Sequence, residues 1–159
     1  MAAGDWLDVL RIYEEGLATG EATFETDPPS REEWDARHLA PARLVAVVDG
    51  RVVAWAALSS VSERAVYAGV AEVSVYVAAD TRGRGVGGQL LVSLISVSEQ
   101  AGIWTLQATV FPENTASVTA HEQCGFRAVG RRERIGRSGD RWRDVVLLER
   151  RSSVVGTSP

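Results

Sequence analysis

The segment Val75-Tyr76-Val77-Ala78-Ala79-Asp80-Thr81-Arg82-Gly83-Arg84-Gly85-Val86-Gly87-Gly88-Gln89-Leu90 constrains this chain more than any other. An apolar strand runs into a glycine-rich turn, and a helix begins directly after it. The first N–H groups of a helix have no intrahelical partner and lie at the positive end of its macrodipole. Glycines let an anion approach that backbone closely, and Arg82 and Arg84 add positive charge. The segment therefore predicts a phosphate or pyrophosphate site over Arg82, Gly83, Arg84, Gly85, Val86, Gly87 and Gly88.

Composition removes one competing phosphate loop. All 17 basic residues are arginine, so neither a lysine-dependent phosphate loop nor a lysine Schiff base is available. A dinucleotide fingerprint fits only loosely, because its strand should open a parallel sheet and this one sits in mid-chain. The net charge of −4 argues against general nucleic-acid affinity. Residues 1–40 are mainly acidic and residues 127–151 are arginine-rich. A single cysteine, Cys124, and two histidines, His38 and His121, make a poor metal set, so no metal is expected. No apolar run approaches membrane-spanning length, so no membrane partner is expected. The start Met1-Ala2-Ala3-Gly4-Asp5-Trp6 shows no basic stretch followed by an apolar one, and a cytoplasmic location is expected.

The rest of the chain reads as a mixed α/β arrangement. Trp6, Val9, Leu10, Tyr13 and Leu17 recur at helical spacing. Asp27-Pro28-Pro29 is a break, and Ser30 with Glu33 forms a capping-box pattern for a helix carrying Trp34. Arg43–Val48 and Val52–Leu58 read as strands joined by the hairpin signal Asp49-Gly50. Ser59–Ala68 reads as a polar loop. In the strand Val70–Val77, Ala71, Val73, Val75 and Val77 share one face, and Glu72, Ser74 and Tyr76 share the other. The helix after Val86 should end near Ala101-Gly102. Ile103–Val110 is a further strand. Asn114 can cap a helix that stops at Gly125. Phe126–Arg134 and Trp142–Leu148 complete the strands. Residues 1–151 are expected to form one domain, and 152–159 a disordered tail. His38 has no motif around it and reads as a surface residue, and Trp55 and Trp104 read as core.

Arg82-x-x-Gly85-x-Gly87 after a Val-Tyr-Val strand resembles the acetyl-CoA signature of the GNAT N-acetyltransferases. Glu72-Val73-Ser74-Val75-Tyr76-Val77, Asn114-x-x-Ser117-x-x-x-His121-Glu122-x-x-Gly125-Phe126 and Trp142-Arg143-Asp144-Val145 resemble its phosphinothricin acetyltransferase branch. Thr23-Phe24 followed by Asp27-Pro28 and Trp34 fits that branch too. The resemblance implies a mixed central sheet with a splayed strand pair, flanked by helices. It implies acetyl-CoA as cosubstrate, paired with the free backbone of Val75, Tyr76 and Val77, held at its pyrophosphate by the 82–88 turn and contacted by Asn114 and Ser117.

The same resemblance makes Glu72 the general base for a protonated amine. It puts His121 where a tyrosine often stands near the leaving thiolate, as a proton donor or a hydrogen-bonding group. Phe24, Glu25, Tyr67 and Trp142 are candidates for the acceptor pocket. Glu25 departs from the branch, which commonly has an arginine there. Arg64 or Arg137 is a candidate partner for an acceptor carboxylate. The expected activity is acetyl transfer to the primary amine of a small amino acid-like molecule of the phosphinothricin or methionine sulfoximine type. Acetylation of protein or peptide amines, and a non-catalytic acyl-CoA-binding module, are the alternatives. A homodimer is expected from the resemblance, with the uneven charge and five tryptophans as weaker support.

Overall fold

The computed structural model describes residues 1–157. Helix α1 (Trp6–Leu17) and helix α2 (Arg31–Arg37) lead into strands β1 (His38–Val48), β2 (Arg51–Ser60) and β3 (Val70–Val77). Helix α3 (Val86–Gln100), strand β4 (Thr105–Val110), helix α4 (Thr115–Gln123) and the hairpin β5 (Arg127–Ser138)–β6 (Arg141–Arg151) follow. The strands form one six-stranded sheet in the order β1-β2-β3-β4-β6-β5. Among the described residues, only β3 and β4 pair in parallel. Among the described residues, no helix is long and apolar enough to cross a membrane.

Local chemistry accounts for the boundaries. Ser30 Oγ accepts from the Glu33 N–H at 3.2 Å and Glu33 Oε2 accepts from the Ser30 N–H at 2.8 Å, so the capping box forms at the start of α2. Asp49 and Gly50 both have positive φ, at 51° and 76°, as a tight hairpin between right-twisted strands demands. Strand β1 begins at His38, ahead of the expected Arg43, and its register with β2 breaks between these two residues. Pro41 lies inside that break. An edge strand tolerates a proline there because no ladder hydrogen bond is lost.

The two faces of the sheet carry different layers. On one, Leu90, Leu91, Leu94 and Ile95 of α3 pack with Ala71, Val73, Leu106 and Leu148. On the other, Val9, Ile12 and Tyr13 of α1 pack with Trp34, Trp55 and Ala57. The alternation of β3 therefore sends Val73, Val75 and Val77 towards α3, and Glu72, Ser74 and Tyr76 towards α1 and α2.

Trp104 is partly buried, and the chain closes over it from two sides. The Trp104 N–H donates to the Gly69 carbonyl at 2.8 Å, and the Trp104 carbonyl accepts from the Ser152 N–H at 2.8 Å. Where the sequence reads as a tail, Ser152 is buried and its hydroxyl donates to Glu99 Oε1 at 2.9 Å. Ser158 and Pro159 lie outside the described residues. A Cβ at Gly69 would lie 2.0 Å from Trp104 Cε3, so only glycine lets the indole lie on this backbone. Gly69→Ala should destabilise the fold by about 1–3 kcal/mol, the usual cost of overpacking, and thermal denaturation reads it. An unchanged midpoint would show that the indole can move aside freely.

Candidate active site

Strands β3 and β4 pair over three positions, Val70 with Thr105, Ala71 with Leu106 and Glu72 with Gln107. Beyond Glu72 they part. Strand β3 stays paired with β2 through Val77, and β4 with β6 through Val110. The backbone of 73–77 on the β4 side therefore has no strand partner. A cavity of about 320 Å³ fills the wedge, lined by Val73–Tyr76, Ala108–Val110, Phe111 and His121. Glu72 stands at its apex, half-buried, with Oε2 accepting from Gln107 Nε2 at 3.1 Å.

The glycine-rich turn lies beyond the end of β3. Gly83 and Gly85 have φ of 75° and 79°, a region that L side chains avoid. Gly85 is the N-cap of α3, with no side-chain cap. The first α3 N–H to bond back is that of Gln89, onto the Gly85 carbonyl at 3.1 Å. The N–H groups of Val86, Gly87 and Gly88 are thus the free first-turn donors. Arg82 is exposed and folds back on the main chain, donating from Nε to the Val77 carbonyl at 3.1 Å and from Nη2 to the Glu15 carbonyl at 3.3 Å. Arg84 is exposed and makes no ion pair among the described residues.

Helix α4 supplies the far wall. Asn114 caps it as expected, with Oδ1 accepting from the Ser117 N–H at 3.1 Å. Asn114 Nδ2 also donates to the Glu21 carbonyl at 3.3 Å, joining α4 to the α1–α2 loop. His121 is buried, with its ring edge-on to Phe126 at 5.0 Å. Its Nδ1 lies 2.8 Å from the Ser117 carbonyl. A carbonyl only accepts, so this contact assigns the proton to Nδ1. Nε2 is buried without a partner. Burial pushes the imidazole below its ordinary range, against a smaller opposing effect of the Ser117 carbonyl. The ring is neutral at pH 7, with a bare lone pair on Nε2.

A second cavity of about 590 Å³ lies on the opposite side of β3, lined by Tyr13, Trp34, Arg37, His38, Trp55 and Ser59, among others. Thr23, Glu25, Ser74 and Tyr76 border both cavities. Tyr76 stacks on Trp55 with centroids 4.7 Å apart and lies 4.9 Å from Tyr13. Burial pushes its hydroxyl well above the ordinary range. Tyr76 thus serves the wedge through its backbone and floors the larger cavity with its ring.

The loop between α1 and α2 roofs the junction. Buried Arg143 donates from Nη1 to the Gly20 carbonyl at 3.0 Å and from Nη2 to Glu113 Oε2 at 3.3 Å. Its guanidinium lies 4.0 Å from the Phe111 ring centroid. Phe24 meets Phe111 edge-on at 4.8 Å and lines the wedge. These contacts fix the loop that carries Thr23, Phe24 and Glu25.

Of the sequence candidates for the acceptor pocket, Phe24 and Glu25 reach the cavities, and Tyr67 and Trp142 do not. Tyr67 is exposed in a short helical turn, with Arg64 5.5 Å from its ring. Trp142 is 53% exposed on the β5–β6 hairpin, with Arg137 5.3 Å from its ring. Arg64 and Arg137 are thereby placed away from both cavities as well.

His38, read as a surface residue, is instead half-buried against Trp34 at 4.2 Å, with Nδ1 2.7 Å from the Trp34 carbonyl. Its i, i+4 spacing from Trp34 was the available signal. Arg37 carried no signal, because its partner Glu25 lies outside its helix.

A profile of the acetyltransferase (GNAT) family matches residues 6–126. A phosphinothricin N-acetyltransferase of Alcaligenes faecalis is 38% identical over 149 residues, covering 89% of this chain and 75% of the relative. An L-methionine sulfoximine/L-methionine sulfone acetyltransferase of Pseudomonas paraeruginosa is 29% identical over 147 residues, covering 89% of this chain and 86% of the relative. A crystal structure of a GNAT superfamily phosphinothricin acetyltransferase from Sinorhizobium meliloti, in complex with AcCoA, superposes with a TM-score of 0.90 at 27% identity. It covers 100% of this chain and 89% of its own. Together with the wedge and the uncapped helix, these matches show that the chain belongs to the acetyltransferase (GNAT) family and is an acetyl-CoA-dependent N-acetyltransferase.

Proposed function

We propose that this chain acetylates the primary amine of a small amino acid-like acceptor by direct transfer. The observation that carries this reading is the meeting of two cavities along one strand. The wedge beside β3 suits a slender acyl carrier, and the larger aromatic cavity suits a small acceptor. They share Thr23, Glu25, Ser74 and Tyr76, and Glu72 stands at the apex of the wedge.

The residues present fit acetyl-CoA. The free N–H groups of Val86, Gly87 and Gly88 and the exposed Arg84 would hold its pyrophosphate. The unpaired backbone of Val75, Tyr76 and Val77 would pair with its amide-bearing arm, beside Asn114 and Ser117. When bound, acetyl-CoA supplies an activated thioester.

Glu72 takes the proton that the ammonium must lose before its nitrogen can attack. Gln107 holds the Glu72 carboxylate by donating to Oε2. An unpaired strand N–H in the wedge suits the oxygen on which charge develops. His121, neutral with Nε2 bare, accepts a hydrogen bond or a proton first, and can return that proton to the thiolate only afterwards.

Glu72→Gln keeps the shape and removes the base. Its kcat at pH 7 should fall by ~10²–10⁴, and the loss should shrink at higher pH, where more of the acceptor is already neutral. An unchanged rate at pH 7 would return Glu72 to a structural role. Acetylation of peptide N-termini alone would overturn the small-molecule reading.

Gly88→Asp tests the turn. A Cβ there meets nothing within 4 Å, so the variant should fold and place a carboxylate among the free N–H groups. Calorimetry should show acetyl-CoA affinity lost with the melting temperature kept. Normal affinity would move the pyrophosphate elsewhere.

The same reading includes a homodimer. Val129, Ile135 and Trp142 are exposed on the arginine-rich β5–β6 hairpin, and the first 40 residues are mainly acidic. Light scattering at tens of micromolar should give twice the chain mass, and a monomer mass would refute the dimer.

A further inference from the structure

Arg37 is the one guanidinium bordering either cavity among the described residues. It ends α2, and it faces Glu25 across the α1–α2 loop. Their contact is single and long, Nη1 to Oε1 at 3.5 Å, with the two side chains 57% and 54% exposed. An exposed pair of this kind contributes little stability. A guanidinium carries five N–H donors, and no other hydrogen bond from the Arg37 side chain is formed among the described residues.

The neighbouring arginine is committed elsewhere. Arg43 donates from Nη1 to Asp35 Oδ1 at 2.8 Å and from Nη2 to the carbonyls of Asp35 and His38, and it lies over the Trp34 ring. The remaining charged groups of the larger cavity are the carboxylates of Glu25 and Glu63, and burial keeps His38 below its ordinary range and neutral at pH 7. An anionic group entering there meets one attractive partner, and that partner has its donor fork open.

We propose that Arg37 recognises the carboxylate of the acceptor, and that Glu25 holds the guanidinium in place until the acceptor displaces it. This rests on the reading that an amino acid-like amine is the substrate. The exchange is favourable in form. One long contact in water is replaced by two parallel N–H···O bonds to a carboxylate in a cavity walled by Trp34, Trp55 and Tyr76. Glu25 also borders the wedge, so once released it faces the side where the amine reacts. The selected substrates are amines that carry a carboxylate.

The test compares methionine sulfoximine with its decarboxylated amine. Kinetics on the wild type, Arg37→Gln and Glu25→Gln are read by thiol release from acetyl-CoA. Acceptor binding is read separately by the fluorescence of the cavity tryptophans. Arg37→Gln should raise KM for methionine sulfoximine by about 10- to 100-fold, the loss of a charged hydrogen-bonded contact. That rise should exceed the rise for the decarboxylated amine at least ten-fold, and kcat should fall less than KM rises. Glu25→Gln should lower KM for methionine sulfoximine by removing the competitor. Equal effects of Arg37→Gln on both acceptors would overturn the assignment while leaving acetyl transfer standing. Arg37-dependent binding without any thiol release would keep the assignment and overturn the transfer. Failure of methionine sulfoximine to bind the wild type would overturn the carboxylate assignment.

Discussion

A strand that leaves one neighbour while still held by the other exposes backbone donors and acceptors in the middle of a sheet. Such groups are costly unless something pairs with them. The parting of β3 from β4 after Glu72 and Gln107 sets this condition, and much of the site follows from it. The wedge exists because both strands keep their outer partners, β2 and β6, past the point of separation. The carboxylate stands at the apex because the last paired position is its own. The glycine-rich turn lies where β3 ends, so a ligand that pairs with the strand reaches the first turn of α3.

The second determinant is the loop between α1 and α2, which has little regular structure to hold it. Arg143 reaches it from β6 and Asn114 from the start of α4, both through backbone carbonyls. Phe24 anchors it on Phe111. These two hydrogen bonds use the loop's main chain, and Thr23 and Glu25 line both cavities. The α1–α2 layer and the wedge thereby share a border made of this loop and of Ser74 and Tyr76 on β3.

The parts that were legible in the sequence are those whose physics is local. Alternation in Val70–Val77 placed Glu72, Ser74 and Tyr76 on one face, and the capping box, the Asp49-Gly50 turn and the glycine-rich helix start all formed as their residues require. The splay was not local and came with the family resemblance. What escaped was set by distant contacts. Tyr67 and Trp142 are aromatic residues near the right segments, but each stacks with an arginine outside the cavities. His38 looked like a surface residue because two tryptophans cover it, one of them from β2. Ser152 looked like the start of a tail because Glu99 and Trp104, which hold it, come from α3 and the segment before β4.

The electrostatics of the site pull in two directions, and the layout separates them. Carboxylates around a cleft raise the local concentration of an ammonium, yet they also stabilise its charged form and so oppose the proton loss that attack requires. Glu63 borders only the larger cavity, where attraction is useful, Glu25 borders both, and Glu72 stands at the wedge apex, where the proposed transfer needs a proton acceptor. Both histidines donate from Nδ1 to the carbonyl four residues earlier and are held neutral by burial, one beside each cavity. Neither adds a positive charge that would repel an arriving ammonium. Among the described residues, the one positive side chain bordering a cavity is Arg37, which borders only the larger one, where it can offset Glu25. On the proposed reading, Glu63 attracts the ammonium along the approach and Glu72 accepts its proton at the end, while Glu25, which borders both cavities, is offset by Arg37.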